Sequence, residues 1–145
     1  MSIEDNKVLN RRGIEEAINQ RNQAIFDELF APDFVWHTTS TTLQGREPAR
    51  AFLSMFFTAF PDGHFTIEDV IAEGDTVTSR LTFRGTHKGN FAGVAPTGKQ
   101  VNVTEIAILR IANGKAVEQW TVLDMLGLMQ QLGVLSAPGQ QRDVG

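Results

Sequence analysis

The sequence predicts a single α+β domain in which helices come first and a curved, largely antiparallel sheet covers one face of them. Up to residue 60, apolar residues recur mainly at helical spacing, interrupted by one short β-branched and aromatic run. After the turn formed by Pro61, Asp62 and Gly63, four segments show partial alternation of polar and apolar residues with a period of two. The 145 residues are enough to bury one core and a pocket.

Two amphipathic helices and a short strand are predicted at the start of the chain. Residues 4–19 place apolar side chains near one face, with acidic residues in the first turn and Gly13 as a weak point. Asn22 is a favourable N-cap for a second helix, which Pro32 is expected to end. The stretch DFVWHTT then predicts a short strand, because β-branched and aromatic residues favour that conformation.

A third helix, four strands and a closing helix follow. Residues 46–60 carry phenylalanines four residues apart, which predicts an aromatic stripe on one helix face. The dipeptide at 113–114, Asn-Gly, predicts a tight hairpin, since a type I′ turn needs φ > 0 at both central positions. The closing helix is predicted over about 124–132. The four strand segments are 64–74, 75–87, 99–114 and 115–124.

Composition excludes several classes of partner. The formal charge is −4, from 13 basic and 17 acidic residues, and no basic cluster for nucleic acid appears. There is no cysteine for a disulfide or a thiolate site, and no tyrosine to supply a phenol. No run approaches the ~18 apolar residues of a membrane span, so we expect a cytoplasmic protein without a membrane partner. The domain is expected over 1–135, followed by a loose tail over 136–145.

Asp124 is the first candidate for chemistry. Alternation along the last strand groups Glu118, Trp120, Val122 and Asp124 on one face, so Asp124 points inward if Trp120 and Val122 do. A buried carboxyl without a partner has a raised pKa, which suits proton transfer near neutral pH. The alternative is that Asp124 caps the closing helix, and both roles are compatible.

Glu105 is the second candidate, because it is the one charged residue in an otherwise apolar row. It is either an acid in a pocket or a hydrogen-bonded core residue. The Asn-Gly hairpin brings Glu105 and Asp124 to the same end of the sheet, where two close carboxyls would push their proton affinities apart. The other members of the row are Val101, Val103, Ala107 and Leu109.

The histidines and the known short motifs predict neither a metal nor a cofactor. His37, His64 and His87 are 27 and 23 residues apart, so no local ligand motif exists. His37 lies in the first strand and is structural or catalytic, whereas His87 lies at a strand end where it can line the rim of a cavity. The sequence contains no serine-nucleophile elbow, Walker A loop or dinucleotide fingerprint. The Gly-rich segment around Phe91 is expected to be a loop at the cavity mouth, with Phe91 inserted inward.

Four stretches carry a family resemblance: NQRNQAIFDELFAPDFVWH, FLSMFFTAFPDGHFTIEDVIAEGDTV, FRGTHKGNFAGVAPTGKQV and RIANGKAVEQWTVLDMLGLMQQLG. Through them the chain resembles the SnoaL-like polyketide cyclases, within the nuclear transport factor 2-like superfamily, over nearly its full length. The last two stretches are the more specific. The resemblance implies a cone-shaped α+β barrel, in which a bent mixed or antiparallel sheet wraps the N-terminal helices around an apolar cavity. It also implies a homodimer or a dimer of dimers.

The resemblance also implies an activity and its residues. In the cyclases, the Asp that Asp124 matches is the general acid/base of a cofactor-independent intramolecular aldol condensation. His37 and Glu105 would then be polar contacts to an apolar, carbonyl-bearing small molecule. The chain departs from some members in having Ala107 where they carry a His. The cavity walls implied are Phe56, Phe91 and Trp120, and we also expect Trp36, Phe52 and His87 to contact the substrate.

Two other functions stay open at this point. One is hydrolysis or hydration, in which Asp124 or Glu105 activates water against an ester or an epoxide. The other is non-catalytic binding of a hydrophobic ligand, with Asp124 as a helix cap alone. The absence of tyrosine weighs against an oxyanion hole of the ketosteroid isomerase type and against a site like that of scytalone dehydratase.

Overall fold

Helices lie before, between and after the strands of a single mixed sheet in the computed structural model, which describes residues 2–135. This order confirms the predicted α+β class. The tail expected over 136–145 lies outside the described residues. The elements are α1 (Ile3–Arg12), a π-helical segment (Gly13–Asn19), α2 (Gln23–Leu29), β1 (Phe30–His37), β2 (Thr42–Gln44), α3 (Arg46–Ala59), β3 (His64–Glu73), β4 (Thr76–Thr86), β5 (Gln100–Ala112), β6 (Lys115–Leu123) and α4 (Met125–Gln131).

The six strands form one curled sheet in the order β2-β1-β6-β5-β4-β3. Strand β1 runs parallel to β6, and every other neighbouring pair is antiparallel. Along β4 and β5, buried and less buried residues alternate strictly, which gives the sheet one inner and one outer face. The helices pack on the inner face, so the site must lie between them and the sheet.

Side-chain caps fix where the first two helices begin. Ser2 and Asp5 form a reciprocal capping box at α1. The Asn22 side chain accepts a hydrogen bond from the Ile25 N–H at 3.1 Å, which confirms the predicted N-cap of α2. The first helix differs from the prediction, because at Gly13 it changes into a π-helix. Gly13 faces the Phe30 ring, which lies 3.6 Å from the position that a Cβ would occupy.

The first strand is longer than predicted and starts directly after α2. Helix α2 ends at Leu29, so Pro32 lies inside β1 and does not end the helix. The register of β1 against β6 shifts between Phe30 and Val35, and such an irregularity accommodates a proline that cannot donate to the ladder. The sequence does not predict β2, since three residues are too few to show an alternation.

The hairpin between β5 and β6 confirms the turn prediction and adds a bulge. Asn113 and Gly114 have φ values of 52° and 75°. Ile111 pairs with Ala116 while the preceding Arg110 pairs with Glu118, so Val117 is an extra residue in β6. A bulge of this kind reverses which later residues of the strand point inward.

Two hydrophobic clusters form the core. One surrounds Phe34 and Trp36, and the other surrounds Phe60 and Phe83, whose ring centroids are 5.4 Å apart in an edge-to-face arrangement. The cavity described below is lined from both clusters. No helix within residues 2–135 is long and apolar enough to cross a membrane.

Candidate active site

A cavity of about 470 Å³ lies between α3, the end of β1, the loop 88–98 and the inner face of β5 and β6. Its size falls in the range typical of small-molecule sites. Aromatic rings make up much of its wall, and most of them come from positions that the sequence predicts. They are Trp36, Phe52, Phe56, Phe65 and Phe91.

Phe91 enters this wall from the Gly-rich loop, as predicted. Its ring centroid is 5.7 Å from that of Phe56 and 5.4 Å from that of Phe60. The loop is tied down by the carbonyl of Ala59, which accepts hydrogen bonds from the N–H groups of Lys88 and Gly89 at 2.9 and 3.1 Å. The start of the loop is therefore anchored to the end of α3.

Glu105 is the carboxyl that lines this cavity. Strand β5 alternates without interruption from Gln100 to Leu109, so Glu105 points inward with its apolar neighbours, as predicted, and it is only 7% exposed. Within residues 2–135 its side chain has neither a hydrogen bond nor an ion pair. Burial alone raises the pKa of this carboxyl to about 8. At neutral pH the group is mostly protonated, and it can exchange a proton under mild conditions.

The inward face of β6 is opposite to the predicted one. Trp120 is 39% exposed and Val122 is 65% exposed, whereas Thr121 is only 6% exposed and lines the cavity with Leu123. The bulge at Val117 is the cause, because Ala116 on its other side is buried. The predicted placement of Trp120 in the cavity wall is therefore wrong.

Asp124 caps α4 and is exposed to solvent. Its Oδ1 accepts a hydrogen bond from the Gly127 N–H at 2.9 Å, and a Cβ at Gly127 would clash with the carboxyl. The Asp124 N–H donates to the Thr104 carbonyl at 3.0 Å, which confirms that Asp124 and Glu105 reach the same end of the sheet. The two carboxyls nevertheless lie on different sides. The cap prediction is confirmed, and the inward placement of Asp124 is wrong for the same reason as that of Trp120.

Neither His37 nor His87 reaches the cavity wall. The His37 Nε2 lies 2.7 Å from a carboxylate oxygen of Glu118, and its ring stacks on Trp120 with centroids 5.3 Å apart. This pair lies on the outer face, where the parity of β6 after the bulge places it. His87 is fully buried beside Phe60, and its Nδ1 accepts a hydrogen bond from the Thr97 N–H at 3.1 Å. His87 therefore anchors the loop 88–98 through Thr97 and does not line the rim of the cavity.

Thr121 is a polar cavity residue that the sequence prediction misses. Its hydroxyl oxygen lies 2.9 Å from Trp36 Nε1 and 2.9 Å from Gln119 Nε2, and both nitrogens donate to it. Strict alternation assigns Thr121 to the outer face, so only knowledge of the bulge identifies it. The polar part of the inner sheet surface thus contains a carboxyl and a hydroxyl on neighbouring strands.

The sequence as a whole also matches a known family. A family model for SnoaL-like polyketide cyclases matches residues 8–132. The chain belongs to this family. The match confirms the predicted membership, and the α+β architecture with a curled sheet described above agrees with it.

Individual SnoaL-like relatives support the assignment. Aklanonic acid methyl ester cyclase DnrD of Streptomyces peucetius is 30% identical over 92 residues, which is 63% of this chain and 63% of DnrD. The match thus spans less than two thirds of that cyclase. A protein of Jannaschia sp. CCS1, provisionally assigned as a SnoaL-like polyketide cyclase, superposes with a TM-score of 0.86 at 27% identity, covering 95% of this chain and 97% of that one.

A further SnoaL-like fold carries a different assignment. AclR of Streptomyces galilaeus, provisionally assigned as a hydroxylase, superposes with a TM-score of 0.83 at 30% identity, covering 94% of this chain and 85% of that one. Architecture alone therefore does not decide the reaction, which has to be argued from the side chains in the cavity. Among the described side chains, no group of three or more His, Cys, Asp or Glu lies close enough together to hold a metal ion.

Proposed function

We propose that this SnoaL-like protein is a cofactor-independent cyclase that closes a ring in an apolar, carbonyl-bearing small molecule by intramolecular aldol addition, with Glu105 as the general acid/base. The observation that carries the proposal is the carboxyl of Glu105 inside an aromatic cavity, with no polar partner among the residues that the structure describes. Asp124, by contrast, has its carboxyl committed to the cap of α4. We therefore assign the proton transfer to Glu105 and a structural role to Asp124.

The pKa of Glu105 suits both halves of an aldol addition. In the first half, the carboxylate removes a proton from a carbon next to a carbonyl, and the C–H electron pair becomes the enolate. In the second half, the enolate carbon bonds to a ketone carbon of the same molecule, and the protonated carboxyl returns the proton to the new alkoxide. The carboxyl ends as it began, so no external acid or base is consumed. A pKa of about 8 keeps both forms accessible near neutral pH.

Ring closure also requires that the substrate be held in a folded conformation, and the cavity can do this. Its aromatic walls favour an apolar molecule, and holding that molecule in one folded conformation selects one condensation among several. DnrD acts on aklanonic acid methyl ester, as its name states. We propose a polyketide ester of this chemical class as the substrate here.

The test uses two isosteric variants of the full chain with aklanonic acid methyl ester as the first candidate substrate. We expect Glu105→Gln to abolish ring closure and Asp124→Asn to retain most of it, because Asn still caps the helix. The opposite pattern would transfer the acid/base role to Asp124. Product formed in labelled water distinguishes the hydrolytic alternative, because hydrolysis incorporates solvent oxygen into the product and aldol closure does not. Tight binding without turnover would favour a binding protein.

We further propose that the protein forms a homodimer through the outer face of β5 and β6. There Ile106 pairs with Val122 and Ile108 with Trp120, and all four side chains are substantially exposed. Contiguous exposed apolar side chains on a sheet usually mark an interface. Beside them lies an ionic group in which Glu118 contacts both His37 and Arg110. Such a patch with a charged margin suits a second copy of the same chain.

A further inference from the structure

The Thr121 hydroxyl has a single free hydrogen-bonding capacity. A hydroxyl has one O–H donor and two acceptor lone pairs. The indole N–H of Trp36 can only donate, so it occupies one lone pair, and the side-chain N–H of Gln119 occupies the other, each at 2.9 Å. The one hydrogen-bonding group that remains is the O–H donor. This proton makes no hydrogen bond to any residue within 2–135.

The position of Thr121 determines where that proton can be used. The side chain is 6% exposed, and what remains accessible lines the cavity. In the register of β5 and β6, Thr121 is the partner of Ala107, while Glu105 is the partner of Leu123. Thr121 and Glu105 are therefore diagonal neighbours on the inner face, close enough for one bound carbonyl compound to contact both.

We propose that the Thr121 hydroxyl donates a hydrogen bond to the substrate oxygen that becomes negatively charged when Glu105 removes the neighbouring proton. This inference rests on the proposed function and adds a second catalytic residue to it. When the C–H bond breaks, its electron pair forms the C=C bond of the enolate and the carbonyl π pair moves to oxygen. The Thr121 proton stays on its own oxygen throughout.

The N–H groups of Trp36 and Gln119 preorganise this hydroxyl as a hydrogen-bond donor. They occupy both lone pairs of the oxygen, so the hydroxyl is left to act towards the ligand as a donor. Hydrogen bonds accepted from N–H groups also polarise the O–H bond. A donor that is already oriented needs no reorganisation when charge develops on the substrate. The Trp36 ring also lines the cavity, so the same side chain contacts the ligand and holds the hydroxyl.

The experiment uses two small bicyclic probes. The ketone 2-tetralone reports enolisation, through exchange of its α-protons for deuterium in heavy water followed by NMR. The aromatic 2-naphthol resembles the enol of that ketone and reports binding alone by calorimetry, with naphthalene as the control that lacks the oxygen. Wild type is compared with Thr121→Val, which removes the hydroxyl at similar volume, and with Thr121→Ser, which restores it.

We expect Thr121→Val to slow exchange on the order of 100-fold, as loss of an oxyanion donor does. It should weaken 2-naphthol binding about tenfold and leave naphthalene binding unchanged, since one hydrogen bond is lost. Thr121→Ser should recover both values. Equal weakening of both probes, no weakening of either, or no preference of wild type for 2-naphthol over naphthalene would each overturn the assignment.

Failure of this inference differs from failure of the proposed function. Binding of 2-naphthol requires no proton transfer, so it tests Thr121 even if Glu105→Gln retains exchange and the acid/base proposal is wrong. Conversely, if Glu105→Gln is inactive and Thr121→Val is fully active, the acid/base role of Glu105 is supported and the proposed role of Thr121 is wrong. If Thr121→Val does not fold, Thr121→Cys keeps the shape with a weak donor, and undiminished 2-naphthol affinity in it would contradict the proposal.

Discussion

Glu105 and Leu123 are register partners across β5 and β6, and both line the cavity. Asp124, which caps α4, directly follows Leu123, so the carboxyls of Glu105 and Asp124 are close along the sheet but lie on its two sides. Glu105 lies on the inner face, where its carboxyl has no hydrogen-bond or ionic partner within residues 2–135, and Asp124 lies outside, where its Oδ1 accepts a hydrogen bond from the Gly127 N–H. The separation gives the two residues different measurable properties.

The rate of enolisation should follow the ionisation of Glu105. Because burial raises its pKa to about 8, the carboxylate is a minor species at pH 6 and its fraction grows about tenfold per pH unit below the pKa. We expect kcat/KM for 2-tetralone exchange to rise with pH and level off near pH 8. A profile that levels off near pH 4 to 5 would instead contradict the assignment of the proton transfer to Glu105.

The stability of the protein should decrease as pH rises towards 8. The unfolded chain releases the Glu105 proton near pH 4.5, while the folded protein keeps it until about pH 8, so rising pH favours the unfolded state in that interval. The slope should be about 1.4 kcal/mol per pH unit from this one group. Urea denaturation at several pH values measures it. Glu105→Gln removes this contribution, so an unchanged slope in that variant would contradict the assignment.

Truncation of Asp124 should affect stability more than chemistry. Asp124→Ala removes the acceptor for the Gly127 N–H, and loss of such a cap costs about 1 kcal/mol. Asp124→Asn is the matched control, because the amide oxygen still accepts that bond. We expect denaturant midpoints to fall for Ala and to change little for Asn, with proton exchange of 2-tetralone retained in both. Loss of exchange in a folded Asp124→Asn protein would argue for catalysis by Asp124.

A charge on the outer face should disrupt self-association. We expect Ile108→Lys to shift the dimer to monomer in sedimentation experiments at micromolar concentration, because a buried unpaired cation is costly. Val8→Lys is the control, since Val8 is 52% exposed on α1, a helix on the other side of the sheet. If both variants sediment alike, the protein is a monomer or its interface lies elsewhere on the surface.

The sequence predicts most of the fold because its turns are chemically explicit. Asn113 and Gly114 fix one hairpin, and the regular alternation of β5 fixes the direction of Glu105. Strand β6 is different, since both of its faces mix polar residues with apolar or β-branched ones, and no feature of its sequence marks Val117 as unpaired. That single extra residue reverses the direction of Trp120 and Thr121. Prediction of the site therefore fails where a backbone irregularity, and not side-chain chemistry, decides the geometry.

The parallel pairing of β1 with β6 has a consequence for how the chain reaches its final state. The hydrogen bond from Trp36 to Thr121 joins residues separated by 85 positions in sequence. Contacts of such long range slow folding, because the intervening chain must be ordered before they form. On the ribosome, the early helices and their aromatic stripe must wait for the last strand to emerge before the pocket exists. Truncations before β6 are thus expected to expose that stripe and to aggregate.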